Sequence, residues 1–155
     1  MDDHVRSVAR DIIDTNLYMV LGTADEDGRP WASPVYYAAT EYRLFFWVSS
    51  PDARHSRNIS LRPRIGIVVF NSQAPIGEGQ GVYMEAEAAA VGSGELDFGL
   101  QVYSRRARTH GGREWTADDV QGPTGIRLYQ ATALDHFVLA KDGRPDYRIT
   151  VNLKA

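Results

Sequence analysis

The chain has 155 residues, with 17 Lys and Arg against 20 Asp and Glu, a net charge of -3 and no cysteine. This length suits one domain, and we expect a single domain over residues 1–155. The missing cysteines exclude disulfides, thiolate metal sites and a cysteine nucleophile, and the mildly acidic charge disfavours nucleic-acid binding. Because the N-terminus is acidic and no apolar run nears the ~20 residues that span a bilayer, we expect a cytoplasmic protein without membrane contact.

The hydrophobic pattern predicts a helix followed by three strands. Apolar residues recur at helical spacing over residues 2–16. Runs rich in β-branched and aromatic residues then predict strands over residues 18–23, 31–39 and 44–49. Short polar turns separate these strands, so we expect an antiparallel meander. Pro34 has no N–H to donate, which predicts that the second strand lies at a sheet edge or is irregular.

Ser50 and Pro51 predict the start of a second helix. Ser50 can act as the N-cap, and Pro51 suits the first helical position because its missing N–H costs nothing there. We expect this helix to end before Pro63. Farther along, the pattern predicts a helix over residues 94–108 and strands over residues 65–70, 82–91, 126–140 (one long or two short) and 147–153. The fold class is therefore α+β, a small antiparallel barrel or sandwich with flanking helices.

Four arginines fall within eleven positions: Arg54, Arg57, Arg62 and Arg64. The first two lie near the start of the predicted second helix, where a helix carries about half a positive charge and unpaired N–H groups. Together with His55 they could bind a phosphate dianion, to which each charge-assisted hydrogen bond contributes about 1.5–3 kcal/mol. The alternative, which the spacing leaves open, is a solvated basic helix face that pairs with acidic residues elsewhere.

No other pattern identifies a catalytic or metal site. The four histidines lie without the spacing of metal ligands, so we expect no metal: His4, His55, His110 and His136. Gly77, Gly79 and Gly81 lack the βαβ context of a dinucleotide-binding loop and are interpreted as a hairpin loop. No nucleophile elbow is present, and no carboxylate is marked out as a general base.

Three segments resemble the flavin-binding split barrel family, whose namesake is pyridoxamine phosphate oxidase. They are Gly-Arg-Pro-Trp-Ala-Ser-Pro-Val-Tyr at 28–36, Leu-Phe-Phe-Trp-Val-Ser at 44–49, and Ala-Arg-His-Ser-Arg-Asn-Ile at 53–59, which leads to Arg-Pro-Arg-Ile at 62–65. The resemblance covers residues 4–91 well and the C-terminal third in outline. It implies a single-domain antiparallel split β-barrel with flanking helices, and a homodimer that holds FMN in a cleft between its subunits.

The resemblance also implies which residues contact the flavin ring. The ring would be lined by Ser33, Pro34, Val35 and Tyr36. The ring or the ribityl chain would be approached by Val48 and Ser49. Gln80 is a weaker candidate for a ring contact, and Trp115 and Tyr129 are guesses for residues that complete the site of the second subunit.

At the phosphate, the resemblance implies a basic motif at the start of the second helix. The phosphate would be held by Arg54 and His55, with support from Arg57 and Asn58. His55 stands where the family usually has lysine. A neutral histidine can still donate one hydrogen bond, but the fixed charge of lysine is lost.

The activity implied is that of an FMN-binding oxidoreductase with a small-molecule substrate. Family members that oxidise the vitamin phosphate end in an Arg-Leu-x-Pro type segment, which residues 147–155 do not contain. We therefore do not expect pyridoxamine phosphate oxidase activity. Two alternatives of the same fold stay open: a reductase that uses a deazaflavin, and a non-catalytic flavin- or haem-binding protein related to stress proteins. We expect loops 73–81 and 109–125 to form the substrate pocket.

Overall fold

The computed structural model describes residues 3–144 and 147–154. In chain order the elements are α1 (Asp3–Thr15), β1 (Tyr18–Ala24), β2 (Pro30–Tyr36), β3 (Ala38–Thr40), β4 (Leu44–Ser49), α2 (Arg54–Leu61), β5 (Arg64–Phe70), β6 (Gly81–Ala90), α3 (Leu96–Thr109), a short 3-10 helix (Ala117–Asp119), β7 (Arg127–Leu139) and β8 (Arg148–Val151). Every pair among these strands is antiparallel. Within the described residues no helix has both the length and the apolar character needed to cross a membrane.

The strands form one sheet in the order β2-β1-β5-β6-β7-β4-β3, with β8 paired to β7. β2 and β3 thus lie at opposite ends of the sheet, although only Tyr37 separates them along the chain. One residue spans at most ~3.6 Å, so the sheet has to curl until its two ends meet. The result is a split barrel with flanking helices, which confirms the fold class predicted from the sequence.

The two antiparallel pairings of the predicted meander are confirmed, but its middle strand is split in two. β1 pairs with β2 and β3 pairs with β4, but β2 does not pair with the strands that follow it, and the second partner of β4 is β7. The predicted strand over residues 31–39 is broken at Tyr37, whose N–H donates to the Leu17 carbonyl at 3.3 Å. The prediction from Pro34 is confirmed, since β2 is an end strand of the sheet.

The barrel interior is the larger of two hydrophobic cores. Its fully buried side chains come from β1, β4, β5 and β6 and include Met19, Leu21, Phe45, Trp47, Val69 and Val82. Residues 82–91 were open to a helical interpretation by composition, yet they form a strand whose even-numbered residues face this core. α1 covers the barrel with Ile12 and Ile13, as the predicted amphipathic pattern requires.

α3 packs over the outer side of β4 and β7 and buries the smaller core. Leu96, Leu100 and Tyr103 face inward, as predicted. Gly99 permits the close approach of this helix, because a Cβ there would lie 2.8 Å from Leu128 Cδ2 and 2.9 Å from Phe46 Cε1. These distances are shorter than real Cβ contacts allow, so a methyl group would push the helix off the sheet.

α2 begins at Arg54, three residues later than predicted. Ser50 Oγ accepts from the Asp52 N–H at 3.1 Å, and the Ser50 carbonyl accepts from the Ala53 N–H at 3.1 Å. Ser50 therefore stabilises a turn before the helix, and its predicted role as N-cap is wrong. Ala53 occupies the N-cap position, and no side chain caps the helix.

His136 on β7 supports the turn between β3 and β4. Glu41 and Tyr42 in this turn have left-handed backbones, with φ of 54° and 55°. Residues other than glycine rarely adopt this conformation. His136 Nε2 lies 2.6 Å from the Tyr42 carbonyl and donates to it. Burial lowers the pKa of the His136 imidazole, against the opposing effect of this hydrogen bond.

Replacing Gly99 with alanine should destabilise the fold by about 1–3 kcal/mol, the usual cost of an extra methyl group in a packed core. Urea unfolding followed by circular dichroism measures the change. Gly94→Ala is the matched control, because a Cβ at Gly94 meets nothing within 4 Å. Equal stability of the two variants would contradict the close approach of α3.

The free energy of unfolding should fall as the pH falls from 7 to 5. The folded chain holds the pKa of His136 below its ordinary value of about 6.5, so the unfolded chain binds more protons in this range and acid favours unfolding. Exposed carboxylates with a lowered pKa, such as Asp119, lose their contribution only below about pH 4. Urea unfolding at both pH values tests this, and His136→Gln should reduce the dependence. An unchanged stability between pH 7 and 5 would refute it.

Candidate functional site

Side chains from β2, β4 and α2 meet at the first turn of α2. We call this group the α2 corner: Trp31, Ser49, Arg54, His55 and Ser56. Ser49 Oγ at the end of β4 lies 2.8 Å from His55 Nε2. The exposed Arg54 guanidinium lies over the Trp31 ring, 4.2 Å from its centroid. The chain thus presents one cation, one imidazole and two hydroxyls within a few residues of a helix N-terminus.

His55 is half-buried, and this burial lowers the pKa of its imidazole. The ring is therefore neutral near pH 7, with one nitrogen that donates and one that accepts. Since Nε2 is engaged with Ser49, Nδ1 is the nitrogen left for a ligand. The permanent positive charge of the corner therefore comes from Arg54. His55 stands where the resemblance leads us to expect lysine, and its neutral ring adds no fixed charge.

Ser56 lies in the first turn of α2 and is 3% exposed. Its hydroxyl is one of the few buried side-chain polar groups of the described residues without a hydrogen-bond partner. A buried hydroxyl left unpaired costs about 1–3 kcal/mol. The first N–H groups of any helix also lack partners within the helix, and here no side chain caps them. The corner therefore has more hydrogen-bond donors than the protein itself satisfies.

Asn58 and Arg62 form hydrogen bonds away from the α2 corner, whereas Arg57 and Arg64 are exposed. Asn58 is buried, and its Nδ2 donates to Thr23 Oγ1 at 3.0 Å, which fastens α2 to β1. Arg62 Nη2 donates to the Glu26 carbonyl at 3.1 Å. Arg57 is exposed on α2, and Arg64 is exposed on β5 opposite Glu87. Of the four clustered arginines, Arg54 is the one whose contacts lie in the α2 corner.

The predicted ring-lining run, residues 33–36, forms the second half of β2. Ser33 is buried toward the barrel, whereas Pro34 is exposed on the outer side. β2 pairs with β1 alone, so its other edge offers backbone N–H and C=O groups to a ligand. Val48, one residue before Ser49, packs against the core under α3. Contacts between this run and a ring would therefore come mainly from the backbone, as the resemblance implies.

An apolar surface lies on the outer side of β1, β2 and β5, and we call it the outer face. Register places on it Tyr18, Val20, Gly22, Pro34, Gly66, Val68 and Phe70. Tyr18 is 59% exposed and Phe70 47% exposed. Gly22 lies opposite Gly66, so the centre of the face carries no side chain and is flat. The outer face thus exposes large apolar side chains around a flat centre.

Gln80 borders a hollow of about 420 Å³ at the β5–β6 end of this face, which Val68 and Tyr83 also line. Its Oε1 accepts from the N–H groups of Gly81 and Leu139, each at 2.9 Å. Its Nε2 donates to the Leu139 carbonyl at 3.0 Å. Gln80 thus has no hydrogen bond to the α2 corner of its own chain, and its ring contact stays a prediction.

Trp115 and Tyr129 were predicted to complete the site of the second subunit. The structure contradicts this role for Tyr129, and for Trp115 it stays a prediction. Tyr129 is 5% exposed and stacks on Trp47 inside the barrel, with centroids 5.8 Å apart, so it cannot reach another subunit. That prediction is wrong, because Tyr129 faces the barrel from β7. Trp115 is half-buried, with its ring edge-on to Tyr103 at 5.7 Å and under the Arg113 guanidinium at 3.9 Å.

The sequence analysis missed one polar pair. Tyr36 at the end of β2 and His110, which follows the last turn of α3, lie with the phenol oxygen 2.8 Å from Nδ1. These residues are 74 positions apart, and no motif links them. No pattern in the sequence marks either residue as a member of such a pair.

With the site described, comparison with known proteins identifies the family. The model of the pyridoxamine 5'-phosphate oxidase family matches residues 6–133. The chain belongs to this family. No curated protein is significantly similar to the sequence. The resemblance predicted from three short segments is therefore confirmed over most of the chain.

Solved structures of low sequence identity share the fold. The haem-binding protein from Mycobacterium smegmatis superposes with a TM-score of 0.71 at 19% identity, over 94% of this chain and 57% of that protein. HutZ, the haem storage protein from Vibrio cholerae, gives 0.62 at 18% identity, over 80% and 86%. A Clostridium acetobutylicum protein related to general stress protein 26 gives 0.64 at 9% identity, over 97% of both chains. This chain spans little more than half of the mycobacterial protein.

Proposed function

We propose that the chain is an FMN-binding oxidoreductase that works as a homodimer on a small-molecule substrate in the cytoplasm. The observation that carries the proposal is the unpaired, buried hydroxyl of Ser56 in the uncapped first turn of α2. Arg54 and His55 occupy the same turn. The family assignment and these donors together support a phosphate group as the ligand of the α2 corner.

A phosphate dianion fits the donors of the α2 corner. Helix N–H groups and the Ser56 hydroxyl supply neutral hydrogen bonds, and Arg54 supplies a charged one. The lowered pKa of His55 leaves Nδ1 able to donate one hydrogen bond without a second fixed charge. Ser49 orients the ring through its contact with Nε2.

From this anchor, the free edge of β2 leads toward the outer face. The strand edge would hold the ring system through its backbone, and the apolar outer face would exclude water from one side. FMN bound in this way supplies hydride or electron transfer. The protein supplies binding and orientation, which is consistent with a sequence in which no acid–base dyad was recognised.

A second copy of the chain is the occupant that we propose for the outer face. Its centre is flat at Gly22 and Gly66, and apolar side chains surround this centre. A two-fold axis would place the same face of each copy against the other. Gln80 and its hollow would then face the cofactor of the partner. Gln80 could thus make the predicted ring contact although it lies far along the sheet from the α2 corner of its own chain.

Two other cofactors are kept as alternatives within this fold. Two of the similar structures are named for haem binding or haem storage, and haem propionates are anions that the α2 corner could also bind. A deazaflavin presents the same phosphate chemistry as FMN. With a deazaflavin, the protein would be a deazaflavin-dependent reductase. With haem, it would be a non-catalytic haem-binding protein.

Replacing Arg54 with alanine should weaken FMN binding by about 10- to 100-fold, the equivalent of one charge-assisted hydrogen bond of ~1.5–3 kcal/mol. Riboflavin lacks the phosphate, so its affinity should not change. Quenching of flavin fluorescence measures both affinities. Arg43→Ala is the matched control, because Arg43 lies in the turn between β3 and β4, outside the α2 corner and the outer face.

Two results would contradict the proposal. One is an equal loss of FMN and riboflavin affinity in Arg54→Ala, which would show that the phosphate does not bind at the α2 corner. The other is tighter binding of a deazaflavin or of haemin than of FMN by the unmodified protein. Haemin is recognised by its Soret band, and a deazaflavin by its own fluorescence.

A further inference from the structure

We propose that Tyr36 is a catalytic acid that gives a proton to the substrate of the proposed site, and that His110 resupplies this proton from solvent. The inference rests on the proposed function and adds to it a substrate class, a polarised carbon–carbon double bond. The observation behind it is the 2.8 Å contact between the Tyr36 phenol oxygen and His110 Nδ1.

The position of Tyr36 on β2 places the pair at the ring end of the site. Trp31, which belongs to the α2 corner, lies five residues earlier on the same strand. A strand rises about 3.3 Å per residue. The two ends of the run are therefore ~16 Å apart. Side chains alternate along a strand, so Tyr36 lies on the outer side of β2 beside Tyr18, whereas Trp31 lies on the inner side. A cofactor ring on the outer face would therefore meet Tyr36, away from the phosphate.

Aromatic packing holds the Tyr36 ring in place. Tyr18 and Tyr103 meet it edge-on, with centroids 6.1 Å and 5.9 Å away, and the His110 ring meets it at 5.8 Å. Three perpendicular neighbours leave the ring few alternative positions. The phenol oxygen is thereby held at a fixed point, as a group that transfers a proton in a reaction requires.

The electrostatics keep Tyr36 protonated and ready to donate. Burial raises the pKa of the phenol, while the nearby Arg106 guanidinium opposes this rise and would stabilise the phenolate formed by donation. His110 is exposed directly after the last turn of α3. The hollow beside it also presents Arg105, Arg106 and Asp14. His110 can therefore exchange protons with water and pass one to Tyr36.

The reduction of an activated alkene uses both a hydride donor and this acid, and it is the reaction that we propose. One carbon of the double bond receives a hydride from the reduced cofactor, which becomes oxidised. The Tyr36 O–H bond breaks, and the other carbon gains the proton. The His110 imidazolium returns a proton to the phenolate and is reprotonated by water. A nicotinamide hydride donor restores the reduced cofactor for the next turnover.

The test compares two oxidants of the FMN-loaded, reduced protein in a stopped-flow experiment. N-ethylmaleimide needs a hydride and a proton, and a chain without cysteine has no thiol for it to alkylate. Ferricyanide takes electrons alone. Tyr36→Phe should slow oxidation by the maleimide at least 100-fold, the lower range of general acid catalysis, and leave oxidation by ferricyanide unchanged. Tyr147→Phe, a tyrosine before β8, should change neither rate.

His110 acts through Tyr36, so it is tested over repeated turnovers with a nicotinamide hydride donor. His110→Gln should slow repeated reduction of the maleimide and leave the single oxidation of the reduced protein unchanged, because the proton is resupplied to Tyr36 only between turnovers. Nitrogen NMR of the protein without cofactor gives a readout independent of activity. Tyr36→Phe should shift Nδ1 of His110 and leave the other histidines unchanged.

Two outcomes would overturn the inference while leaving the proposed function in place. In one, the loaded protein and Tyr36→Phe react with the maleimide at equal rates. In the other, ferricyanide oxidises the loaded protein and the maleimide does not. A protein that binds no FMN would overturn both proposals, and the flavin titration detects this before any oxidant is added.

Discussion

Tyr37 is the residue on which the rest of the structure depends. It alone links β2 and β3, which lie at opposite ends of the sheet. Its ring is fully buried, and its hydroxyl donates to the Ile13 carbonyl at 2.5 Å near the end of α1. The Arg106 guanidinium of α3 lies 4.8 Å from the ring centroid. Burial and hydrogen bonding at one residue thus fix the closure of the barrel and the seating of two helices.

The α2 corner exists because the sheet closes in this way. β2 and β4 do not pair, yet α2 contacts both, with His55 on Ser49 of β4 and Arg54 on Trp31 of β2. An open meander would leave these strands in a different arrangement. The same closure brings the end of β2 to the end of α3, where Tyr36 meets His110. The anchor and the proposed acid therefore lie near opposite ends of one strand.

Local patterns predicted most elements, because periodicity reports which face of a segment is buried. The sequence located α1, β6 and α3 closely, and Pro34 correctly marked an end strand. The split of the predicted strand 31–39 was missed, since it depends on strand partners far along the chain and on a single linking residue, Tyr37. Ser50 matched the chemistry of an N-cap, but it bonds within the turn before α2.

The candidate site shows the same division between local and long-range information. Arg54 and His55 were identified from a motif, and the structure brings them together with Ser49. Asn58 belongs to the same motif, but its side chain is used inside the protein. The pairing of Tyr36 with His110 spans 74 positions and follows only from the barrel. Motifs therefore identify residues on one short segment, and the closed fold decides which of them face a ligand.

The central claim is that FMN lies between two copies of this chain, and sedimentation velocity with and without FMN tests it most directly. The account predicts a dimer that binds one FMN per chain. Gly66→Arg, at the flat centre of the outer face, should give a folded monomer without FMN, because a Cβ at Gly66 meets nothing within its own chain. Gly94→Arg, equally open but outside that face, should remain a flavin-bound dimer. A Gly66→Arg monomer that binds FMN as tightly as the unmodified protein would contradict the account.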